Sequence, residues 1–189
     1  MPAVKTLKKL LISLVFAFTA VSAFGAETLY WENPMSITAT DSRFPVTLKK
    51  DDSTFIFWQE VDSKKKEIYL TCRNYTSLSV FEENRRFAGP FTYSGDEVPD
   101  IFTVAVLENG TIAVALAADF GRLAVFTSTD KCRSFESVQL QTSSIMVAPR
   151  IYATKNSGFK MFTSVGEENS FTIFTADSPD GKNWSKFTQ

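Results

Sequence analysis

Three proline-led segments at near-constant spacing constrain this chain more than any other feature. Arg43-Phe44-Pro45-Val46, Val98-Pro99-Asp100-Ile101 and Ala148-Pro149-Arg150-Ile151 each open an apolar run, and their prolines stand 54 and 50 residues apart. Ser128 follows the second proline by 29 residues and Ser178 follows the third by 29, each opening a Ser-x-Asp sequence. Two independent signals in one register mark an internal repeat, with each copy a small supersecondary unit that must bury its apolar face on a neighbour.

Inside each repeat the pattern is strand. Phe55-Ile56-Phe57-Trp58, Ile68-Tyr69-Leu70 and residues 102–107, 111–116, 123–126 and 171–174 are short runs rich in β-branched and aromatic residues. Turn sequences punctuate them at Asp51-Asp52-Ser53, Asn109-Gly110, Asn156-Ser157-Gly158 and Asp180-Gly181. Asn109-Gly110, between two apolar runs, predicts a two-residue hairpin turn. Periods of this length point to blades, so the expected fold is all-β: three four-stranded antiparallel β-propeller blades over residues 43–96, 97–146 and 147–189. Trp31 precedes Pro45 by 14 residues, as Phe135 precedes Pro149, which predicts an outer blade strand over residues 31–38. Propellers ordinarily close with four to eight blades, so three imply a partial or half propeller.

The first residues read as a secretory signal. Lys5, Lys8 and Lys9 form a basic region, residues 10–19 are uncharged, and Val21-Ser22-Ala23 supplies small residues for cleavage. The apolar run is short for a membrane span, which needs about 20 residues. Residues 1–26 are therefore expected to be removed on export, placing the protein outside the cell, in a periplasm or at the cell surface. The remaining 163 residues carry 17 Lys and Arg against 21 Asp and Glu, which provides no basic footprint for nucleic acid and no polybasic membrane patch. The chain has no histidine, which excludes a histidine-based triad and histidine-ligated zinc. No metal-ligand spacing and no phosphate loop occur, so no cofactor or metal is expected. Cys72 and Cys132 would meet an oxidising compartment after export. They sit in adjacent repeats, and they read as two buried thiols, with a single disulfide as the other outcome.

The segments Ser128-Thr129-Asp130-Lys131-Cys132-Arg133-Ser134-Phe135 and Ser178-Pro179-Asp180-Gly181-Lys182-Asn183-Trp184 resemble the Asp-box, Ser-x-Asp-x-Gly-x-x-aromatic, of sialidase-like (BNR) β-propellers. Cys132 replaces the glycine in one copy, and the other is a residue shorter. In the first repeat Cys72-Arg73-Asn74 stands where Ser-x-Asp would, 27 residues after Pro45. In that family the box is a turn between the third and fourth strands of a blade, so Asp130 and Asp180 are expected to hold structure through local hydrogen bonds and not to catalyse.

The resemblance also implies candidate site residues. Arg43-Phe44-Pro45 matches the family's Arg-Ile-Pro, whose arginine clamps a substrate carboxylate by bidentate hydrogen bonds. Asp62, in the loop after the second strand, stands where the family has its acid/base aspartate. The family's tyrosine nucleophile, activating glutamate and other two arginines belong to later blades that these 189 residues do not contain, so turnover is not expected from this chain alone. The expected function is a non-catalytic module that binds a glycan or a surface protein, closing its ring by self-association or with a missing C-terminal half. The competing expectation is one half of an exported sialidase-type glycoside hydrolase. Asn74, Asn109 and Asn183 fit the N-glycosylation pattern, and Phe55, Phe57 and Trp58 read as core.

Overall fold

A computed structural model describes residues 38–76, 83–118, 122–140, 142, 145–155, 158–167 and 170–189. The expected signal peptide, and all but Thr38 of the expected strand over residues 31–38, lie outside that set. Eleven strands are described, and every strand pairing is antiparallel between sequence neighbours.

The three repeats are three blades. Blade 1 is β1 (Asp41–Lys50), β2 (Ser53–Asp62), β3 (Glu67–Thr76) and β4 (Arg85–Thr92), in that order across the sheet. Blade 2 is β5 (Phe102–Val106), β6 (Ile112–Ala118), β7 (Arg122–Ser128) and β8 (Glu136–Leu140). Blade 3 has β9 (Val147–Ala153), β10 (Phe159–Glu167) and β11 (Ser170–Ser178). Beside β11 a fourth strand begins, with the Thr175 and Thr188 amides each donating to the other's carbonyl at 2.7 and 2.9 Å.

Alternation along the strands builds the core. Phe55, Phe57, Ile68, Leu70 and Cys72 on one face of blade 1 pack against Phe102, Val104, Ile112, Val114 and Leu116 of blade 2. The other face of blade 2 is lined by Ala113, Ala115, Leu123 and Val125, which meet Ile151, Phe159 and Met161 of blade 3. Blade 2 is therefore apolar on both faces, as a sheet between two sheets must be. The far side of blade 3 is different: Phe171, Ile173 and Tyr152 are exposed there.

Gln59 ties blade 1 to the entrance of blade 2. It is wholly buried, its Nε2 donates to the Pro99 carbonyl and its Oε1 accepts from the Ile101 amide, both at 2.9 Å. The amide thus satisfies two backbone groups where one blade hands the chain to the next.

Two of the three repeat prolines sit at bulges. The β1–β2 register shifts between Arg43 and Val46, and the β9–β10 register between Phe162 and Ser164. Proline cannot donate to a ladder, and a bulge removes the need. In both places the preceding residue has positive φ, 53° at Phe44 and 49° at Ala148. The Asn109-Gly110 turn also departs from expectation. It holds three residues, with the Leu107 amide donating to the Thr111 carbonyl at 2.9 Å, the Gly110 amide to Leu107 at 3.0 Å, and Gly110 at φ 85°. This is the longer hairpin loop in which glycine takes the left-handed position.

Both Ser-x-Asp sequences form tight turns. In blade 2, Asp130 Oδ1 accepts from the Ser128 hydroxyl and the Ser134 amide, each at 2.9 Å, and Oδ2 from the Ser134 hydroxyl at 2.6 Å. In blade 3, Asp180 Oδ1 accepts from the Lys182 and Asn183 amides at 2.9 and 2.8 Å, and Oδ2 from the Asn183 side chain at 2.7 Å. Cys72-Arg73-Asn74 forms no such turn, because all three lie inside β3.

These bonds set the charge state. Partial burial opposes ionisation of Asp130, but the Ser134 hydroxyl and amide, the Ser128 hydroxyl and the Arg133 amide outweigh it and hold the pKa at about 2. For Asp180 the Asn183 amide is the main cause, joined by Lys182 and Ser178 against partial burial, again giving about 2. An unfolded aspartate titrates near 3.9. Each carboxylate therefore stabilises the fold above about pH 5, and that stability is lost as pH falls toward about 2, on the order of 1 kcal/mol each once solvent screening is allowed for. The double variant Asp130→Asn, Asp180→Asn is expected to show a flatter dependence of unfolding free energy on pH across that window, measured by urea titration.

Candidate functional site

The turns act between blades. Phe135, the aromatic residue closing the blade 2 turn, stacks on Phe87 of β4 with ring centroids 4.1 Å apart. Arg85 donates to the Arg133 carbonyl at 3.2 Å. In blade 3, Lys182 pairs with Glu136 of β8 at 2.7 Å, and the Thr127 hydroxyl donates to the Gly181 carbonyl at 3.2 Å. Each turn leans on the outer strands of the preceding blade, so Asp130 and Asp180 hold turns that dock one blade on another.

The polar side chains with ligand-binding character gather at one end of blade 1. Thr40 just before β1, Glu60 and Asp62 at the end of β2, Tyr69 on β3 and Arg86 on β4 line an open cleft of about 720 Å³. Glu60 stands opposite Tyr69 in the β2–β3 register, so their side chains share a face. The Glu60 side chain is 8% exposed and forms an ion pair with Arg86. The Arg86 guanidinium lies 4.6 Å from the centroid of the Tyr69 ring, a cation–π arrangement. Tyr69 in turn donates to Glu67 Oε2 at 2.8 Å, and that bond is the main cause that raises the phenol pKa.

The two sequence-derived candidates sit differently. Arg43 makes a bidentate pair with Asp41 at 3.0 and 3.2 Å, which raises its pKa. It stands opposite Gln59, and Asp62 is three residues farther along β2. The pleat therefore places Arg43 and Asp62 on opposite faces of the sheet. Asp62 accepts from the Lys64 and Lys65 amides at 3.1 and 3.2 Å, the Asx turn of a charged hairpin tip. Positive φ at Phe44 is no mark of a site, because Ala148 shares it at the corresponding place in blade 3.

Glu60, Tyr69 and Arg86 were not singled out by sequence. Arg86 reaches Glu60 only because the β3–β4 register slips twice, between Ile68 and Leu70 and between Leu70 and Thr71. The first slip falls at Gly89-Pro90, where a glycine at φ 111° and a proline inside a strand mark a bulge, and the second, at Phe87, has no such signal. Of the glycosylation-pattern asparagines, Asn74 is 2% exposed within β3, so a glycan has no access to it in the folded chain. Asn109 and Asn183 are exposed. Phe55, Phe57 and Trp58 are core residues, each no more than 2% exposed. Among the described residues no cluster of three or more cysteine or carboxylate side chains could hold a metal ion, and no helix is long and apolar enough to cross a membrane.

No protein-family model matches the chain, and no curated protein matches its sequence. Solved structures do match. A protein of unknown function from Dyadobacter fermentans has a TM-score of 0.56 at 17% identity, over 78% of this chain and 54% of that one. A GH43 endo-arabinanase from Bacillus licheniformis has a TM-score of 0.48 at 12% identity, over 73% of this chain and 51% of that one. The chain thus spans about half the length of these structures, and at such identities the likeness to the first is one of fold.

Proposed function

We propose that this chain is an exported, non-catalytic binding module whose ligand is a glycan held in the cleft of blade 1. The observation that carries this reading is the junction of Tyr69, Arg86 and Glu60 with Asp62 in one open cleft. An aromatic ring offers an apolar face to a sugar ring, and the charged groups around it accept from and donate to hydroxyls. The same geometry argues against turnover. Each carboxylate is already engaged in holding structure, Glu60 with Arg86, Asp41 with Arg43, and Asp62 with the turn amides. None faces an activated nucleophile.

Binding of sialylated and neutral oligosaccharides, followed by saturation-transfer NMR and calorimetry, tests the reading. Tyr69→Ala and Arg86→Lys are each expected to weaken affinity at least about tenfold, the loss of one stacking or bidentate charge-assisted contact, with circular dichroism confirming that each variant is folded. Absence of binding to any glycan would remove the reading. Robust hydrolysis of a fluorogenic sialoside would replace it with the hydrolase alternative.

A further inference from the structure

We infer that Cys72 and Cys132 are a modification site: under oxidising conditions they form a disulfide that staples blade 1 to blade 2. Both are buried thiols, at 0 and 3% exposure, and they meet across the interface, with Cys72 Sγ 3.9 Å from the Cys132 carbonyl oxygen. The same contact recurs one blade later with different residues. There the Thr127 hydroxyl, on the third strand of blade 2, points at the carbonyl of Gly181 in the blade 3 turn. Cys132 and Gly181 are equivalent by a second criterion, since their amides donate to the serines that open their turns, Ser128 and Ser178, at 3.0 and 2.8 Å.

The equivalence extends to the direction of the third-strand side chain. A Cβ added at Gly181 would lie 2.9 Å from Thr127 Oγ1. In a disulfide the sulfur of one half lies about 3 Å from the Cβ of the other, as the S–S bond length and tetrahedral angles require. The repeat thus directs the third-strand side chain at the position where the turn residue's Cβ belongs, and in this interface alone both positions carry sulfur. Cys132 also retains a side chain at φ 68°, a conformation that disfavours any residue with a Cβ.

The reaction balances with an external disulfide as oxidant. Each thiol loses a proton, the two sulfurs join, and the two electrons reduce oxidised glutathione to two glutathione thiols. Burial shields both sulfurs in the folded protein, so the oxidant acts on the folding chain.

The full chain is therefore refolded from denaturant in glutathione buffers of reducing and oxidising poise. It is then alkylated under denaturing conditions and analysed by mass spectrometry, with circular dichroism confirming the fold in each arm. The expected result in the oxidising arm is about a tenfold excess of chain lighter by two hydrogens, with a linked peptide joining Cys72 to Cys132. The oxidised chain is also expected to melt about 10 °C above its reduced form, because the bond closes a loop of 60 residues. Cys72→Ser keeps a hydroxyl where blade 2 has that of Thr127, and is expected to fold with no dependence of melting on poise. Folded wild-type chain in which both cysteines are alkylated, carry glutathione, or link only to a second chain would overturn the inference.

Discussion

Replacing Gln59 with leucine is expected to lower the unfolding free energy by about 2–4 kcal/mol, more than a single internal hydrogen bond is ordinarily worth. Its carboxamide uses both ends, donating to Pro99 and accepting from the buried Ile101 amide. Leucine fills much of the same space but leaves that amide without an acceptor in a dry interface, where the cost is the full desolvation of the group. Urea unfolding of the two proteins provides the check, read as a change in midpoint at constant slope. A loss below about 1 kcal/mol would mean that water or a rearranged segment satisfies Ile101, and that the inter-blade clamp is not what holds the junction. Gln59→Glu sharpens the point, since its carboxylate accepts from Ile101 but repels the Pro99 carbonyl, and is expected to destabilise more as pH rises.

Gly181→Val is expected to cost about 3 kcal/mol or more. Gly181 has φ 80°, where a β-branched residue is strained. A Cβ there would meet Thr127 Oγ1 at 2.9 Å, Phe159 at 3.3 Å and Ala113 at 3.4 Å. Strain and overpacking add at this position, since neither the turn nor the blade 2 face can give way without disturbing the other. Cys132→Gly is the informative contrast. It relieves positive φ but removes a buried side chain, two terms of about 1 kcal/mol that oppose each other, so its net effect is expected within about 1 kcal/mol. Thermal and urea unfolding of both variants distinguish a turn that needs glycine from one that has adapted to a side chain. Equal losses at the two positions would contradict this account of the blade interfaces.

Chain periodicity was enough to locate the blades. The proline spacing and the paired Ser-x-Asp sequences are local signals, and a strand's period of two depends only on which residues prefer water, so the three repeats and most of their inner strands were legible before any contact was known, whereas β4, β8 and β10 carried no run that marked them. The turn function of Asp130 and Asp180 was legible for the same reason, since an Asx turn is made by residues within a few positions of one another. Cys72-Arg73-Asn74 misled because a degenerate copy looks like a turn by alignment, whereas pairing with β2 carries β3 through all three residues.

The cleft is another matter. Arg43 and Asp62 could be picked out singly through a resemblance, but their positions relative to each other follow from strand register and pleat, and those put them on opposite faces. Glu60, Tyr69 and Arg86 come together through a doubly slipped register on β3 and β4, of which only the slip at Gly89-Pro90 is marked in the sequence. Gln59 and the sulfur pair Cys72 and Cys132 are likewise partners across 40 to 60 residues of chain. The sequence by itself determined the repeat, the all-β class and the local turns, because these depend on solvation and on neighbours along the chain. Only the tertiary structure decided which blade face meets which turn, since those contacts depend on how one folded sheet fits the next.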